Sequence, residues 1–236
     1  MPEPVILIPG LMQDARVFGA QIAHLSRGRP VMVALPHPGA TVEAMSAAVL
    51  AAAPAAFALA GLGLGGNVAL DVVRRASDRV TRIALIATDP LSETPRASAL
   101  REARLVTARA GRLPQAMRDE VPAMALADTP ERAETQAILG DMAHAMGLDC
   151  YVAQSRAMQR RPDQQRVLRQ SRIPMLFLIG ADDAAMPPRR QDFAAGLAPF
   201  ARLEVLSGAG QIPPLEAPAA TSAALDRFLA GPLLLR

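Results

Sequence analysis

The 236-residue sequence has no lysine and no tryptophan, one cysteine and one tyrosine, and only 3% of it is aromatic. Each scarcity closes off a class of chemistry. Without lysine there is no side-chain amine to form a Schiff base, so that route to covalent catalysis is excluded. All 25 side-chain cations other than histidine are then arginines, which stay charged at any ordinary pH. This composition accounts for an isoelectric point of about 10.2, because the cations are interleaved with 22 acids and the formal net charge is only +3. The arginine pairs at 74–75, 160–161 and 189–190 are far apart in the chain, and rings on which bases could stack are scarce. A solvated surface is expected, with no nucleic-acid partner. The lone Cys150 cannot close an internal disulfide and has no adjacent Cys/His cluster with metal-ligand spacing, so it reads as a packed thiol. No apolar run approaches the roughly 18 to 20 residues of a membrane-crossing helix. The apolar run Val5–Ile8 begins without a basic leader or a small-residue cleavage site. The expectation is a soluble, cytoplasmic chain with no membrane partner.

What is present is alternation. A chain of this length with 51% hydrophobic residues suits one large α/β domain. Short apolar runs at 4–8, 30–35, 57–61, 82–88, 174–180 and 202–207 read as buried parallel strands. Helical spacing fills most of the gaps, at 15–25, 41–50, 65–76 and 189–197, and 218–229 closes the chain. The pattern predicts a doubly wound, mostly parallel sheet. The interval 89–173 breaks the rhythm: it carries helical spacing (Leu100, Leu105, Leu113, Met117, Met124, Ile138, Met142, Met146) punctuated at Pro95, Pro114, Pro122, Pro130 and Gly147. The expected organisation is therefore a core of 1–88 and 174–236 with a helical cap insertion, 89–173. Such an insertion would lie over the carboxyl ends of the strands, where open α/β sheets bind ligands. A plain helical subdomain with no part in ligand binding is the other reading.

The segment Phe57-Ala-Leu-Ala-Gly61-Leu-Gly63-Leu-Gly65-Gly66-Asn67 is a strand, a tight turn and a helix start. That is the setting of the G-x-S-x-G nucleophile elbow, here with Gly63 in the central position. Gly61, Gly63 and Gly66 also satisfy G-x-G-x-x-G, with Asp89 near where a ribose-binding acid would fall. A dinucleotide fingerprint usually follows the first strand, and this turn follows the third. Dinucleotide binding is kept as a minor alternative, and no cofactor is expected.

Three more segments bear on that choice: Leu7-Ile8-Pro9-Gly10-Leu11-Met12, Gly180-Ala-Asp-Asp183-Ala-Ala-Met-Pro187, and Gly208-Ala-Gly210-Gln211-Ile-Pro-Pro-Leu-Glu216-Ala-Pro218. With the elbow they resemble, in order and nearly end to end, the landmarks of the α/β-hydrolase superfamily, close to small bacterial esterases and lactonases. The resemblance implies an α/β-hydrolase fold with nucleophile, acid and base positions at Gly63, Asp183 and Gln211. It places the oxyanion donors at the backbone N–H groups of Leu11 and Leu64, which do not depend on their side chains. The departures are as informative. Glycine has no hydroxyl to attack a carbonyl, and the glutamine amide does not titrate near neutrality. In a well-studied serine protease, loss of either group costs about a millionfold, and the oxyanion hole and binding alone leave roughly a thousand- to ten-thousandfold over water.

The expectation is thus a hydrolase-family protein with a degenerate catalytic triad that binds a small, mostly apolar carbonyl compound. Hydrolysis would be absent, weak or by a non-serine mechanism. The alternative is a non-catalytic pseudoenzyme that binds a ligand or a partner. Asp183 reads as a hydrogen-bonded relic or as a base acting directly or through water. His37, in the loop after the second strand, is a candidate substrate-binding residue, since that loop should face the pocket. His24 and His144 fit helix faces, Ser207 a structural strand end, and Asp14 a helix N-cap. Asp182 beside Asp183 lacks the further ligands of a metal site, so no metal is expected. Nothing in the sequence speaks to the oligomeric state.

Overall fold

The computed structural model describes residues 2–37, 39–122 and 125–232. Six strands form one parallel sheet in the order β2 (Val31–Val33), β1 (Val5–Ile8), β3 (Phe57–Leu62), β4 (Val80–Ile86), β5 (Met175–Gly180) and β6 (Ala201–Leu206). Every residue of β1, β3 and β5 is buried. Their unbroken apolar runs follow from having helices on both faces, which leaves no side to be polar. Successive residues of β1 serve opposite layers. Ile6 and Ile8 join Leu59, Leu85 and Phe177 under α2 (Val42–Ala52), α3 (Leu64–Arg75) and α8 (Pro188–Gly196). Val5 and Leu7 join Ala58, Ala60 and Leu178 under α1 (Gly19–Leu25) and α10 (Pro218–Ala230).

The chain winds one way from β1 to β2 and then reverses to β3, so the switch point lies between β1 and β3. The two strands pair with Ile8 opposite Gly61. The loop that leaves β1 and the turn that leaves β3 therefore emerge side by side at the carboxyl edge, where such sheets take ligands.

Between β4 and β5 the described residues make no strand. They form α4 (Pro95–Arg109), α5 (Leu113–Glu120), α6 (Arg132–Gln159) and α7 (Gln165–Gln170). The breaks fall where the sequence is punctuated. Thr94 caps α4 by accepting from the Ala97 N–H at 3.2 Å, with Pro95 in the first turn, where its missing N–H costs nothing. Pro114 occupies the same place in α5, and α6 bends at Gly147 (φ 78°, ψ 176°). Met124 of the expected apolar pattern lies outside the described residues. A third apolar cluster joins the insertion to the β1 loop: Met12 packs with Leu105, Met117, Cys150 and Tyr151. Cys150 is buried, and burial pushes its thiol pKa up. α7 packs back on α3 and places Leu168 in the sheet's first layer. Asp14 caps the short 3-10 turn Ala15–Phe18 ahead of α1, accepting from the Arg16 N–H at 2.9 Å. Among the described residues no helix is long and apolar enough to cross a membrane.

Candidate active site

Gly63 separates β3 from α3 with φ 51° and ψ −113°, a backbone region that side-chain-bearing residues rarely occupy. Its N–H donates to the Ile86 carbonyl at 3.0 Å, and its own carbonyl accepts from Gly66 at 3.0 Å and Asn67 at 3.3 Å. The glycines around it serve a different purpose. A Cβ on Gly61 would press into the backbone of Gly65, one on Gly65 into the carbonyls of Ile8 and Pro9, and one on Gly66 into Thr88. α3 thus starts in backbone contact with both strands. A Cβ on Gly63 would meet nothing within 4 Å, because the turn projects into open space.

That space is a pocket of about 140 Å³ whose wall includes Gly63, Leu11, Leu64 and Gln211. In the β1 loop, Gly10 donates its N–H to Gln13 Oε1 at 3.0 Å, and Met12, at φ 55°, donates to Gln154 Oε1 at 2.6 Å. The N–H of Leu11 lies between these two tethered amides. The N–H of Leu64 belongs to the first residue of α3, where a helix has no internal acceptor to offer and its dipole is positive. Among the described residues neither N–H has a protein acceptor.

Asp183 follows β5 and is 2% exposed. Its Oδ1 accepts from the N–H groups of Ala185 and Met186, both at 2.9 Å, while Oδ2 is buried with no partner among the described residues. Burial pushes its pKa up, against the pull of those two N–H bonds, and the charge of Glu216 adds to the rise. Gln211 is held by its backbone, whose N–H donates to the Ala125 carbonyl at 2.8 Å; its side-chain Oε1 is buried without a partner among the described residues. Glu216 fixes the same loop to the insertion, accepting from Ile212 at 2.7 Å and Ala127 at 2.6 Å. The loops after β5 and β6 are tied by Asp182 donating to the Ala209 carbonyl at 2.9 Å.

The fold therefore brings Leu11, Gly63, Leu64 and Gln211 to one pocket. Asp183 is not part of that wall. The expectation for His37 is corrected: it is exposed and does not line the pocket. The reason lies next to it. Pro36, just before it, is buried, its carbonyl accepting from Gln154 Nε2 at 3.2 Å, and the following imidazole is left exposed. Ser207 and Asp182 are exposed as well, and His24 faces Asp226 on the surface at 3.9 Å. Among the described residues no group of His, Cys, Asp and Glu could hold a metal ion.

The sequence and fold of this chain are shared with known proteins. The model of the alpha/beta hydrolase family matches residues 5–224. The chain belongs to the alpha/beta hydrolase family. It is 30% identical to a pimeloyl-[acyl-carrier protein] methyl ester esterase of Aromatoleum aromaticum, covering 91% of this chain and 93% of that one. Among solved structures, a thermophilic esterase from Thermogutta terrifontis superposes with a TM-score of 0.86 at 25% identity, over 96% of this chain and 89% of that one. The enol-lactonase from Burkholderia xenovorans gives a TM-score of 0.87 at 23% identity, over 98% and 92%, and at that identity speaks to the fold alone.

One part of this family member's pocket was not legible in the sequence. The insertion contributes Arg101 and Glu120 to the wall, so a largely apolar cavity also carries an ion pair. Arg101 Nε and Nη2 donate to Glu93 Oε1 at 3.0 and 2.9 Å, and Nη1 donates to Glu120 Oε1 at 2.5 Å. Glu120 also accepts from Arg104 at 3.0 Å and from the Tyr151 hydroxyl at 3.3 Å. Burial works against the Arg101 charge, but Glu120 and Glu93 more than offset it and hold its pKa above the ordinary value. The signal that could have found Arg101 is its place one helical turn before Leu105, on the buried stripe of α4.

Proposed function

We propose that this alpha/beta hydrolase binds a small carbonyl compound, an ester, a lactone or similar, at the Gly63 turn. On this reading Gly63, Asp183 and Gln211 stand at the nucleophile, acid and base positions, and the protein does not hydrolyse its ligand by a Ser-His-Asp mechanism. The observation that carries it is the open space over Gly63, which faces the pocket shared by Leu11 and Leu64. Two amide donors without protein acceptors suit a carbonyl oxygen, an enolate or a carboxylate, and they do so whatever residue 63 carries. The A. aromaticum and T. terrifontis proteins are both named as esterases, which supports the ligand class.

The same geometry weighs against ordinary turnover. Gly63 offers no hydroxyl, and the Gln211 amide cannot take a proton in the way an imidazole does. The buried Oδ2 of Asp183, with no partner among the described residues, is where an imidazole N–H at position 211 would be received. Asp183 itself does not line the pocket, which supports a structural part over a direct catalytic one.

The test is turnover of p-nitrophenyl butanoate by the natural sequence and by Gly63→Ser/Gln211→His. The natural protein should stay within the roughly thousand- to ten-thousandfold over water that amides and binding can supply, and the double variant should exceed it. Efficient turnover by the natural protein would overturn the assignment of Gly63 and Gln211. Silence in both, with ligand binding retained, would point to a purely binding role.

A further inference from the structure

Outside the elbow pocket the insertion holds a second and larger cavity of about 360 Å³ between α5 and the first half of α6. Its α5 side is formed by Leu113, Met117 and Val121, and its α6 side by Leu139 and Ala143. Among the described residues its wall contains no carboxylate, and its only ionisable groups are Arg118 and His144. Both are exposed, so they sit at the mouth while the floor is apolar. Val121 belongs to this wall and also to the wall of the elbow pocket. From Leu113 to Val121 the groove runs along the helix for about 12 Å. Val121 thus stands between the groove and the elbow pocket.

The two cavities are chemically unlike. The elbow pocket carries amide donors and the Arg101–Glu120 pair in about 140 Å³, which suits a compact polar head. The groove offers apolar length and is within the usual size range of small-molecule sites. We propose that they form one bipartite site, in which the α5–α6 groove takes the unbranched apolar chain of a ligand whose carbonyl lies at Leu11 and Leu64, with Val121 at the junction. The proposal rests on the function proposed above and specifies its ligand as an amphipathic carbonyl compound with a medium-length alkyl or acyl chain.

Gly140 supplies a clean test. It lies on the wall of the groove within α6, and a Cβ there meets nothing within 4 Å. Replacing a mid-helix glycine also favours the helix, so Gly140→Phe should fill the groove without unfolding the protein. The measurement is ligand-observed NMR titration with methyl butanoate and methyl octanoate, in which any cleavage of the ester appears in the same spectra. For the natural protein, affinity should rise by up to about fourfold for each methylene added, the transfer value of a buried methylene. Gly140→Phe should abolish the preference for octanoate while leaving butanoate binding unchanged. Val121→Trp, at the junction, should likewise reduce octanoate to the affinity of butanoate. Equal affinity for both esters in the natural protein, or an octanoate preference that survives Gly140→Phe, overturns the bipartite site. Gln211→Trp, which fills the elbow pocket, should weaken both esters by more than tenfold. If it leaves both unchanged, the carbonyl is not at the elbow and the function proposed above fails with the bipartite site. Loss of both esters in Gln211→Trp together with no chain-length preference leaves the elbow reading standing and removes only the groove.

Discussion

The carbonyl of Ile86 accepts from the N–H of Gly63 at 3.0 Å, so the sharp turn at the end of β3 is held by β4 and not by anything that residue 63 adds. A serine introduced there inherits the same backbone. Its Cβ meets open space, but it must adopt φ near 51°, which glycine tolerates and other residues resist. Gly63→Ser should therefore cost about 1–2 kcal/mol. For a domain of this size that is a fall of about 2–8 °C in Tm, read by differential scanning calorimetry. An unchanged or raised Tm counts against the strained turn.

Gly65 provides the contrast. Its φ is helical, yet a Cβ would be driven into the carbonyls of Ile8 and Pro9, and backbone cannot rotate aside as a side chain can. Gly65→Ala should cost more than Gly63→Ser, about 3 kcal/mol or above by analogy with overpacked cores, or should prevent folding altogether. Denaturant titration of the two variants side by side checks the order. If Gly65→Ala is the milder change, the approach of α3 to β1 is looser than the structure has it.

Much of this was legible in the chain itself. The six strands, the strandless interval and the turn at Gly63 are local patterns: apolar runs, helical spacing, and glycine where helix meets strand. The start of α4 at Pro95 and the bend at Gly147 fall at punctuation the sequence shows. What escaped depends on distant partners. Arg101 reads as one surface arginine among many until α5 brings Glu120 against it. His37 reads as pocket-facing until Gln154, more than a hundred residues later, takes hold of the Pro36 carbonyl and fixes which residue of the loop turns inward. The division between the elbow pocket, with its buried Arg101–Glu120 pair, and the apolar groove likewise exists only once α5 and α6 are side by side.

Asp183 should make stability depend on pH in an unusual sense for a carboxylate. Its pKa is raised in the fold, chiefly by burial, so folding favours the protonated form. Its contribution is fully present below the unfolded value of about 4 and is lost as pH rises through the raised folded value. Asp183→Asn keeps an oxygen that can accept from Ala185 and Met186 and removes the charge. The Tm of Asp183→Asn relative to the natural protein should thus rise between about pH 4 and pH 7. If Asp183 and Gln211 stand as proposed, Gln211→His gives Oδ2 a donor and should flatten the dependence in an otherwise natural background. A relative Tm that is constant across this range would show that Asp183 is not held in a desolvated site.

Arg101 tests how the insertion is held over the pocket. Its side chain is 8% exposed, and its partners Glu93 and Glu120 are 3% and 9% exposed. Removing the cation leaves two buried carboxylates with fewer partners, although Arg161 still meets Glu93 at 3.2 Å and Arg104 still meets Glu120 at 3.0 Å. Breaking a buried pair from one side usually costs about 3–5 kcal/mol, and the remaining arginines place Arg101→Met near the lower end. The surface pair of Arg227 and Glu204, whose arginine is 61% exposed, is the control. Arg227→Met should cost no more than about 1 kcal/mol. Replacing both ends, Arg101→Met with Glu120→Gln, should recover part of the loss, because the double variant no longer strands the Glu120 charge. Urea unfolding of Arg101→Met, Glu120→Gln and the double variant gives the coupling directly. A cost for Arg101→Met as small as that for Arg227→Met would mean that packing among α4, α5 and α6 holds the insertion in place and that the buried charges contribute little to it.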